Sequence, residues 1–182
     1  YGGVYGKVHD PIEHHPRTGD ILPPLSHMGA AAPCGLERYR SSAFGDDYRD
    51  NLFACQFNMH KVSRHVLTPR GATFDSRDED FVVSKNFDFH PTDVLEDADG
   101  SLIVVDTGGW YKLCCPTSQL SKPDILGAIY RVRRTRASRV NDPRGRQIDW
   151  NALDDAELAA LLADDRFAVC DQATHRLALR GS

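Results

Sequence analysis

Histidine side chains are the groups in this chain best suited to acid–base chemistry near neutral pH. One of them, His90, stands directly before Pro91, at what reads as the start of a strand, where an imidazole can act as a base or a metal ligand. His14, His15 and His27 would join it if the N-terminal segment folded over the same surface. No spacing fixes their geometry, so we expect a hydrogen bond from His90 to a neighbouring carbonyl group and no metal site.

Two aspartates flank one predicted pair of strands. Asp93 and Asp106 could bind calcium or act as an acid and a base, but turn capping at strand ends is the role that we expect. Between them, the sequence DADGS at 97–101 supplies the Asp-Gly pair that favours a tight hairpin. It lacks the further oxygen ligands and the distal glutamate of a calcium loop, so we predict a plain hairpin.

Two aromatic residues, Trp110 and Tyr111, follow Gly108 and Gly109 just after the second of these strands. Aromatic side chains in a loop can stack on a sugar ring or cover a cofactor. They can equally pack against a neighbouring sheet. Trp110 and Tyr111 are our candidate substrate-binding residues.

The cysteines argue against several redox and metal sites. No C-x-x-C pair occurs, which argues against a zinc ribbon, a thioredoxin-type motif and a c-type haem attachment site. The adjacent Cys114 and Cys115 could form a strained disulfide in an oxidising compartment, although we favour two thiols. The cysteines therefore do not decide between an oxidising and a reducing compartment.

Charge is nearly balanced along the chain. The formal net charge is −4, which gives no reason to expect nucleic acid or an anionic membrane as a partner. No apolar run approaches the roughly 20 residues that a membrane-spanning helix needs. Arginines crowd residues 131–146, and acidic residues follow at 154–165. We predict contacts between these two groups within the chain rather than nucleic-acid binding.

Short apolar runs separated by turns predict an antiparallel β region over residues 31–134. Residues 1–30 are rich in turn signals and read as a loop segment that packs on this region. In the run 128–132, Ala128, Tyr130 and Val132 alternate with Ile129 and Arg131, which is the period of a strand. Other strand-like runs lie at 52–57, 62–67, 81–83 and 102–106.

An arginine-rich linker at 135–152 leads to a segment with helical spacing at 153–182. Asp154 or Asp155 can cap a first helix over 156–162, and a second helix follows over 167–179. The expected buried face of the second helix consists of Cys170, Ala173, Thr174 and Leu177. Two short amphipathic helices with a tight connection are similar to one unit of a HEAT-type repeat array.

Motifs between residues 30 and 134 resemble, in order and spacing, the closing blades of the soluble glucose and aldose-sugar dehydrogenase propellers. They are APCGLERY at 32–39, YRDNLF at 48–53, PTDV at 91–94, DGSLIVVD at 99–106 and GAIYRV at 127–132. With its helices, the chain resembles the large planctomycete-type membrane-bound dehydrogenase proteins. In those proteins such a propeller precedes HEAT-like helices and often a haem-binding domain.

The resemblance implies a fold class and a shape. The chain should be mainly β, with the last one or two blades of a six-bladed-type β-propeller followed by the start of a HEAT-like helical region. Blades take about 40 to 50 residues each and at least four close a ring. Open strand edges should therefore remain, and we expect the chain by itself to self-associate or to be partly unfolded.

The resemblance also implies chemistry, namely oxidation of a sugar or alcohol by pyrroloquinoline quinone (PQQ) with calcium, and electron transfer to a haem domain outside this sequence. Arginine and lysine side chains bind the quinone carboxylates in that family. Here His90 and Thr92 stand at the matching positions, and Asn58 and Lys61 follow the run at 52–57. These four are the candidate cofactor-binding residues, whereas the family's catalytic histidine belongs to an earlier blade.

Two functions therefore stand open. One is part of a periplasmic, secreted or cell-envelope oxidoreductase that acts on a carbohydrate-like alcohol. The other is a non-catalytic propeller with a helical repeat that binds a carbohydrate-like molecule or a protein partner. The lack of arginine at positions 90 and 92 favours the second function, and the order of the domains favours the first.

Overall fold

The computed structural model describes residues 24–109, 122, 124–137 and 139–181. Within them the protein is mainly β, with seven strands in two antiparallel sheets followed by two α-helices. The prediction of a mainly β chain is confirmed. Both sheets are open in the described part of the chain, and neither closes into a barrel.

Sheet 1 is a four-stranded meander in which each strand pairs with the next along the chain. Its strands are β1 (Pro33–Arg38), β2 (Leu52–Gln56), β3 (Lys61–Arg70) and β4 (Thr73–Val83). The runs predicted at 52–57 and 62–67 correspond to β2 and β3. The run at 81–83 is only the end of β4, because the first part of this strand is mostly polar and shows no alternation.

Sheet 2 is a three-stranded meander. Its strands are β5 (Pro91–Glu96), β6 (Leu102–Asp106) and β7 (Ala128–Val132). The predicted strands β6 and β7 are confirmed. The predicted hairpin is confirmed as well, since Asp97 N donates to Ser101 O at 2.8 Å and Gly100 has a φ of 76°. No described strand pairs with the outer edge of β7.

The two sheets pack through their first strands, β1 and β5. A Cβ atom on Gly35 would lie 2.3 Å from Asp93 Oδ1 and 2.5 Å from Asp93 Cα, so this approach leaves no room for a side chain. Buried side chains of both sheets form one core, which contains Tyr39, Phe44, Phe53, Cys55, Val62, Phe89, Val94, Leu102 and Val104.

The helices are α1 (Asp155–Ala160) and α2 (Phe167–Arg180). Asp154 caps α1, since its Oδ1 accepts from Glu157 N while Glu157 Oε2 accepts from Asp154 N, both at 2.8 Å. This reciprocal pair is a capping box. None of the described helices is long and apolar enough to cross a membrane.

The buried face of α2 agrees with the predicted one in part, since Ala173 is buried and Cys170 and Leu177 are half-buried. Val169 is buried as well, together with Leu158 of α1, whereas Thr174 is exposed. The linker explains the difference, because its turn at Gly145 packs directly under the helix. A Cβ atom on Gly145 would lie 3.0 Å from Val169 Cγ2, so the helix presents Val169 to the linker.

Three of the crowded arginines pair with other acidic residues than those that we expected. Arg131, Arg133 and Arg144 form ion pairs with the hairpin between β5 and β6. Asp97 and Asp99 supply its carboxylates. The reason is proximity: the linker leaves β7 beside this hairpin, whereas Asp154 and Asp155 lie at the far end of the linker.

Candidate functional site

Three loops meet at one end of the two sheets and carry the histidines of interest. They are the β2–β3 connection, the β4–β5 connection and the residues after β6. We call residues 57–60, 84–90 and 107–109 the histidine rim. The loops lie together because every second connection of a meander lies at the same end of the sheet.

His60 joins two of these loops. Its backbone is left-handed, with a φ of 54°, and its Nδ1 lies 2.8 Å from Phe89 O. Because a carbonyl oxygen only accepts, Nδ1 carries the proton and donates it. The β2–β3 connection is thereby fixed to the start of sheet 2.

His90 joins the β4–β5 connection to the third loop, the residues after β6. Its Nδ1–H donates to Gly108 O at 2.8 Å, which is the carbonyl bond that we predicted for this residue. The carboxylate of Asp106 supports it, since Oδ1 accepts from both His90 N and Gly108 N at 2.8 Å. Asp106 is therefore a turn cap, as predicted, and both His90 and Asp106 are buried.

Among the described residues, four rings form a row along the rim. The ring centroids of Phe57 and His90 are 4.6 Å apart, those of His90 and His60 are 5.2 Å apart, and those of His60 and Phe87 are 5.7 Å apart. Phe87 ends the row and is 79% exposed. An exposed aromatic ring backed by further rings is a surface on which the apolar face of a ring-shaped ligand can stack.

The four predicted cofactor-binding residues lie at this end of the sheets, but each has a protein partner. Lys61 Nζ donates to Asp80 Oδ1 at 2.6 Å. Thr92 Oγ1 donates to Val105 O at 3.3 Å. Asn58 bridges the preceding segment, because it accepts from Ala32 N and donates to Ala30 O, both at 2.7 Å.

These contacts do not fit an anionic quinone. Such a ligand needs cations that face it, whereas the charge of Lys61 is neutralised by Asp80 and Thr92 carries none. In the described part of the chain, no group of three or more histidine, cysteine or acidic side chains has the geometry of a metal site. Of the four candidate residues, only Lys61 carries a fixed positive charge, and that charge is already paired.

Some predicted residues lie outside the described residues. They include the candidate substrate-binding residues Trp110 and Tyr111, the cysteine pair Cys114 and Cys115, and the histidines at 14 and 15. His27 is described and exposed.

Sequence analysis missed Phe57, His60 and Phe87 as members of the rim. The only sequence signal was their position in the loops beside Asn58 and His90. Their meeting depends on how closely the β2–β3 and β4–β5 connections approach, which no local pattern encodes.

A series of hydrogen-bonded polar side chains runs across β3 and β4. Ser63 Oγ lies 2.9 Å from His65 Nε2, and His65 Nδ1–H donates to Asp78 Oδ1 at 2.7 Å. Burial alone would raise the pKa of Asp78, but hydrogen bonds from Ser26, Ser76 and His65 outweigh it and lower the pKa. The order resembles a hydrolase triad. However, Ser63 is fully buried and its oxygen also contacts Ala54 O and a Gln56 amide, so we regard the series as structural.

No curated protein and no solved structure matches the chain significantly. The model of one family, described as a domain of unknown function (DUF7133), matches residues 8–146. This match covers both sheets and most of the linker, and the chain therefore belongs to the DUF7133 family.

Proposed function

We propose that the two sheets are neighbouring blades of a β-propeller and that the helix pair is the start of a HEAT-like array. Both sheets are antiparallel meanders, and their first strands pack against each other. This is the arrangement expected of blades around a central axis, with the first strand of each blade innermost. The resemblance of residues 30–134 to sugar-dehydrogenase propellers supports the same proposal.

Within this scaffold, we propose that the histidine rim binds a carbohydrate-like ligand without oxidising it. The row of rings that ends in exposed Phe87 is the observation that carries this function. Stacking of sugar rings on aromatic side chains needs an exposed face with firm support behind it. His60 supplies this support, because its bond to Phe89 O holds it in place.

The test is ligand binding by the 182-residue chain. Saturation-transfer NMR with glucose, maltose and cellobiose should show transfer to the sugar CH groups, and Phe87→Ala should abolish it. Phe74→Ala is the matched control, because Phe74 is also exposed but lies on β4 beside the opposite end of sheet 1. Transfer that is unchanged in Phe87→Ala, or absent with all three sugars, would contradict a carbohydrate site on the rim.

The second candidate is a PQQ-dependent oxidoreductase of the periplasm or cell envelope. What favours it is that His90, Thr92, Asn58 and Lys61 lie at the same end of the sheets, as the resemblance implies for a cofactor site. Titration with PQQ and Ca²⁺, followed by PQQ fluorescence, separates the two functions. We expect no saturable binding. Saturable binding that is lost in Lys61→Ala would instead support the oxidoreductase.

A further inference from the structure

The first three strands of the two sheets repeat the same register. In sheet 1 the residues that lie opposite each other include Arg38 with Leu52 and Glu37 with Phe53. In sheet 2 the corresponding pairs are Glu96 with Leu102 and Leu95 with Ile103. Both first strands start at a proline and have an irregularity near it, between Pro33 and Leu36 and between Pro91 and Asp93.

The repeat makes Arg64 of β3 equivalent to Arg131 of β7. Arg64 pairs in register with Phe53, and Arg131 pairs with Ile103. Both arginines reach back to the connection between the first and second strands of their own sheet. Arg64 donates to Asn51 Oδ1 at 2.6 Å and to Asp47 O, whereas Arg131 donates to Asp97 Oδ2 at 2.6 Å.

The two arginines differ on their other side. Sheet 1 has a fourth strand, β4, and its Glu79 lies in register with Arg64 and accepts from it at 3.1 Å. No described strand occupies the equivalent place beside β7. The side chain of Arg131 is accordingly 39% exposed, against 7% for Arg64.

Apolar exposure follows the same pattern. Val62 of β3 lies in register with Val82 of β4 and is fully buried. Its equivalent in β7, Ile129, is 74% exposed. A groove of about 510 Å³ also runs beside β7, lined by Val82, Phe89, Tyr130 and Val132 among others. An edge strand with apolar side chains and unpaired backbone groups is a template for another strand.

We propose that the outer edge of β7 binds an acidic β-strand of a partner protein, added antiparallel, with a carboxylate opposite Arg131 and an apolar residue opposite Ile129. This mode of recognition is strand addition, in which main-chain hydrogen bonds give affinity and alternate side chains give specificity. The charge of the edge favours an acidic partner, because residues 128–134 contain Arg131, Arg133 and Arg134 and no acidic residue. Asp97 and Asp99 pair with Arg131 and Arg133 from within the sheet, but Arg64 shows that such an arginine can bind a second carboxylate, since it pairs with both Asp47 and Glu79. Two copies of β7 would place like charges along each other, so a second copy is disfavoured.

This inference goes beyond rim binding and does not depend on it. The rim consists of the loops before β3, before β5 and after β6, whereas the proposed contact uses the outer edge of β7 at Ile129 and Arg131. Loss of sugar binding in the previous experiment would not contradict the strand site. Failure of the strand site would likewise not contradict sugar binding by the rim.

The probe is a fluorescein-labelled peptide with the sequence of residues 73–83, because β4 is the strand that occupies the equivalent place in sheet 1. Fluorescence anisotropy should show saturable binding to the 182-residue chain. The peptide with Glu79→Lys should bind about tenfold more weakly, since a like charge then faces Arg131. A peptide with N-methylated backbone amides along one edge should not bind, and this arm needs no protein variant.

Charge reversal then locates the contact. The protein variant Arg131→Glu should lose the original peptide and bind the Glu79→Lys peptide, whereas Arg136→Glu in the linker should behave as the wild type. Equal binding of the original and Glu79→Lys peptides to the wild type would overturn the proposal. So would association of the protein with itself that excludes the peptide, because the occupant would then be a second copy.

Discussion

Arg40 and Asp171 form a bidentate ion pair that joins sheet 1 to the second helix. Arg40 Nη1 donates to Asp171 Oδ2 at 2.7 Å and Nη2 donates to Oδ1 at 2.8 Å. The guanidinium group also lies over the Phe167 ring, 4.8 Å from its centroid. The hydrogen bonds from Arg40 lower the pKa of Asp171 and outweigh its partial burial.

Replacement of Arg40 by alanine should loosen the helix pair more than the sheets. The two side chains are 38% and 57% exposed, so we expect a loss of only about 0.5–1 kcal/mol in the free energy of unfolding. Hydrogen exchange should rise in α2 and stay unchanged in β2 and β3. Arg38→Ala is the control, because Arg38 forms a surface ion pair with Asp50 within sheet 1. Faster exchange in the sheets with no change in α2 would contradict this role.

Tyr39→Phe should destabilise the junction of the two sheets. The buried Tyr39 hydroxyl donates to Gly100 O at 2.6 Å and accepts from Phe44 N at 3.2 Å, and burial is the main cause that raises the pKa of Tyr39 to about 12. Removal of the hydroxyl leaves two buried groups unpaired, which costs about 1–3 kcal/mol. Urea unfolding measures this loss. Tyr130→Phe should cost less, because its contact with Asp106 Oδ2 is long, at 3.5 Å.

Gly35→Ala should push the first strands of the two sheets apart. The added Cβ would collide with the backbone of Asp93, and relief of such overpacking typically costs about 1–3 kcal/mol. Thermal unfolding followed by circular dichroism measures the effect. Cys34→Ala, at the neighbouring exposed residue, should shift the midpoint less. An equal shift in both variants would mean that the close approach is not what limits stability.

Acid should release the linker from sheet 2 before the sheets unfold. Burial raises the pKa of Asp97, but the bonds from Arg131 and Ala98 N and the charge of Arg144 hold it below the usual 3.8. Burial likewise raises the pKa of Asp99, but hydrogen bonds from Ser101 and Arg133 and the charge of Arg133 lower it below its usual value. Because the folded-state pKa values are lowered, this stabilisation is fully present above pH 3.8 and is lost as pH falls through the lower folded-state values.

The measurement is free energy of unfolding against pH for the wild type and for Asp97→Asn. The variant should be less stable near neutral pH and should show a shallower decline below pH 4, since one of the titrating groups is gone. If the two curves of unfolding free energy against pH run parallel, ionisation of Asp97 does not contribute to the pH dependence of stability.

Short apolar runs predicted two strands of sheet 2 at their correct bounds. β6 is the run Leu102–Asp106, and β7 was recognised from the alternation of Ala128, Tyr130 and Val132 with Ile129 and Arg131. Asp154 was one of two predicted caps, with Asp155 as the alternative, because acidic residues suit the N-terminus of a helix, and the structure assigns the cap to Asp154. The start of β4 could not be predicted, since its charged residues are mostly exposed on both faces and it is held by pairing with β3.

The site could be predicted only one residue at a time. The carbonyl bond of His90 was expected from its place beside Pro91, and the bond to Gly108 O confirms it. The partner of Lys61 was not foreseen, because Asp80 belongs to the part of β4 that shows no periodicity. Phe87 was missed for another reason: its contact with His60 joins two loops separated by the whole of the β3–β4 hairpin.

The placement of the helix pair has a mechanical consequence. Its anchor to sheet 1 is Arg40 with Asp171, and the linker before it is anchored to sheet 2 by Arg144 with Asp97. The helical segment thus bridges the two sheets, because it is bound to sheet 1 directly and to sheet 2 through the linker. We therefore expect a twist of one sheet against the other to act on these two ion pairs as well as on the direct contacts between β1 and β5.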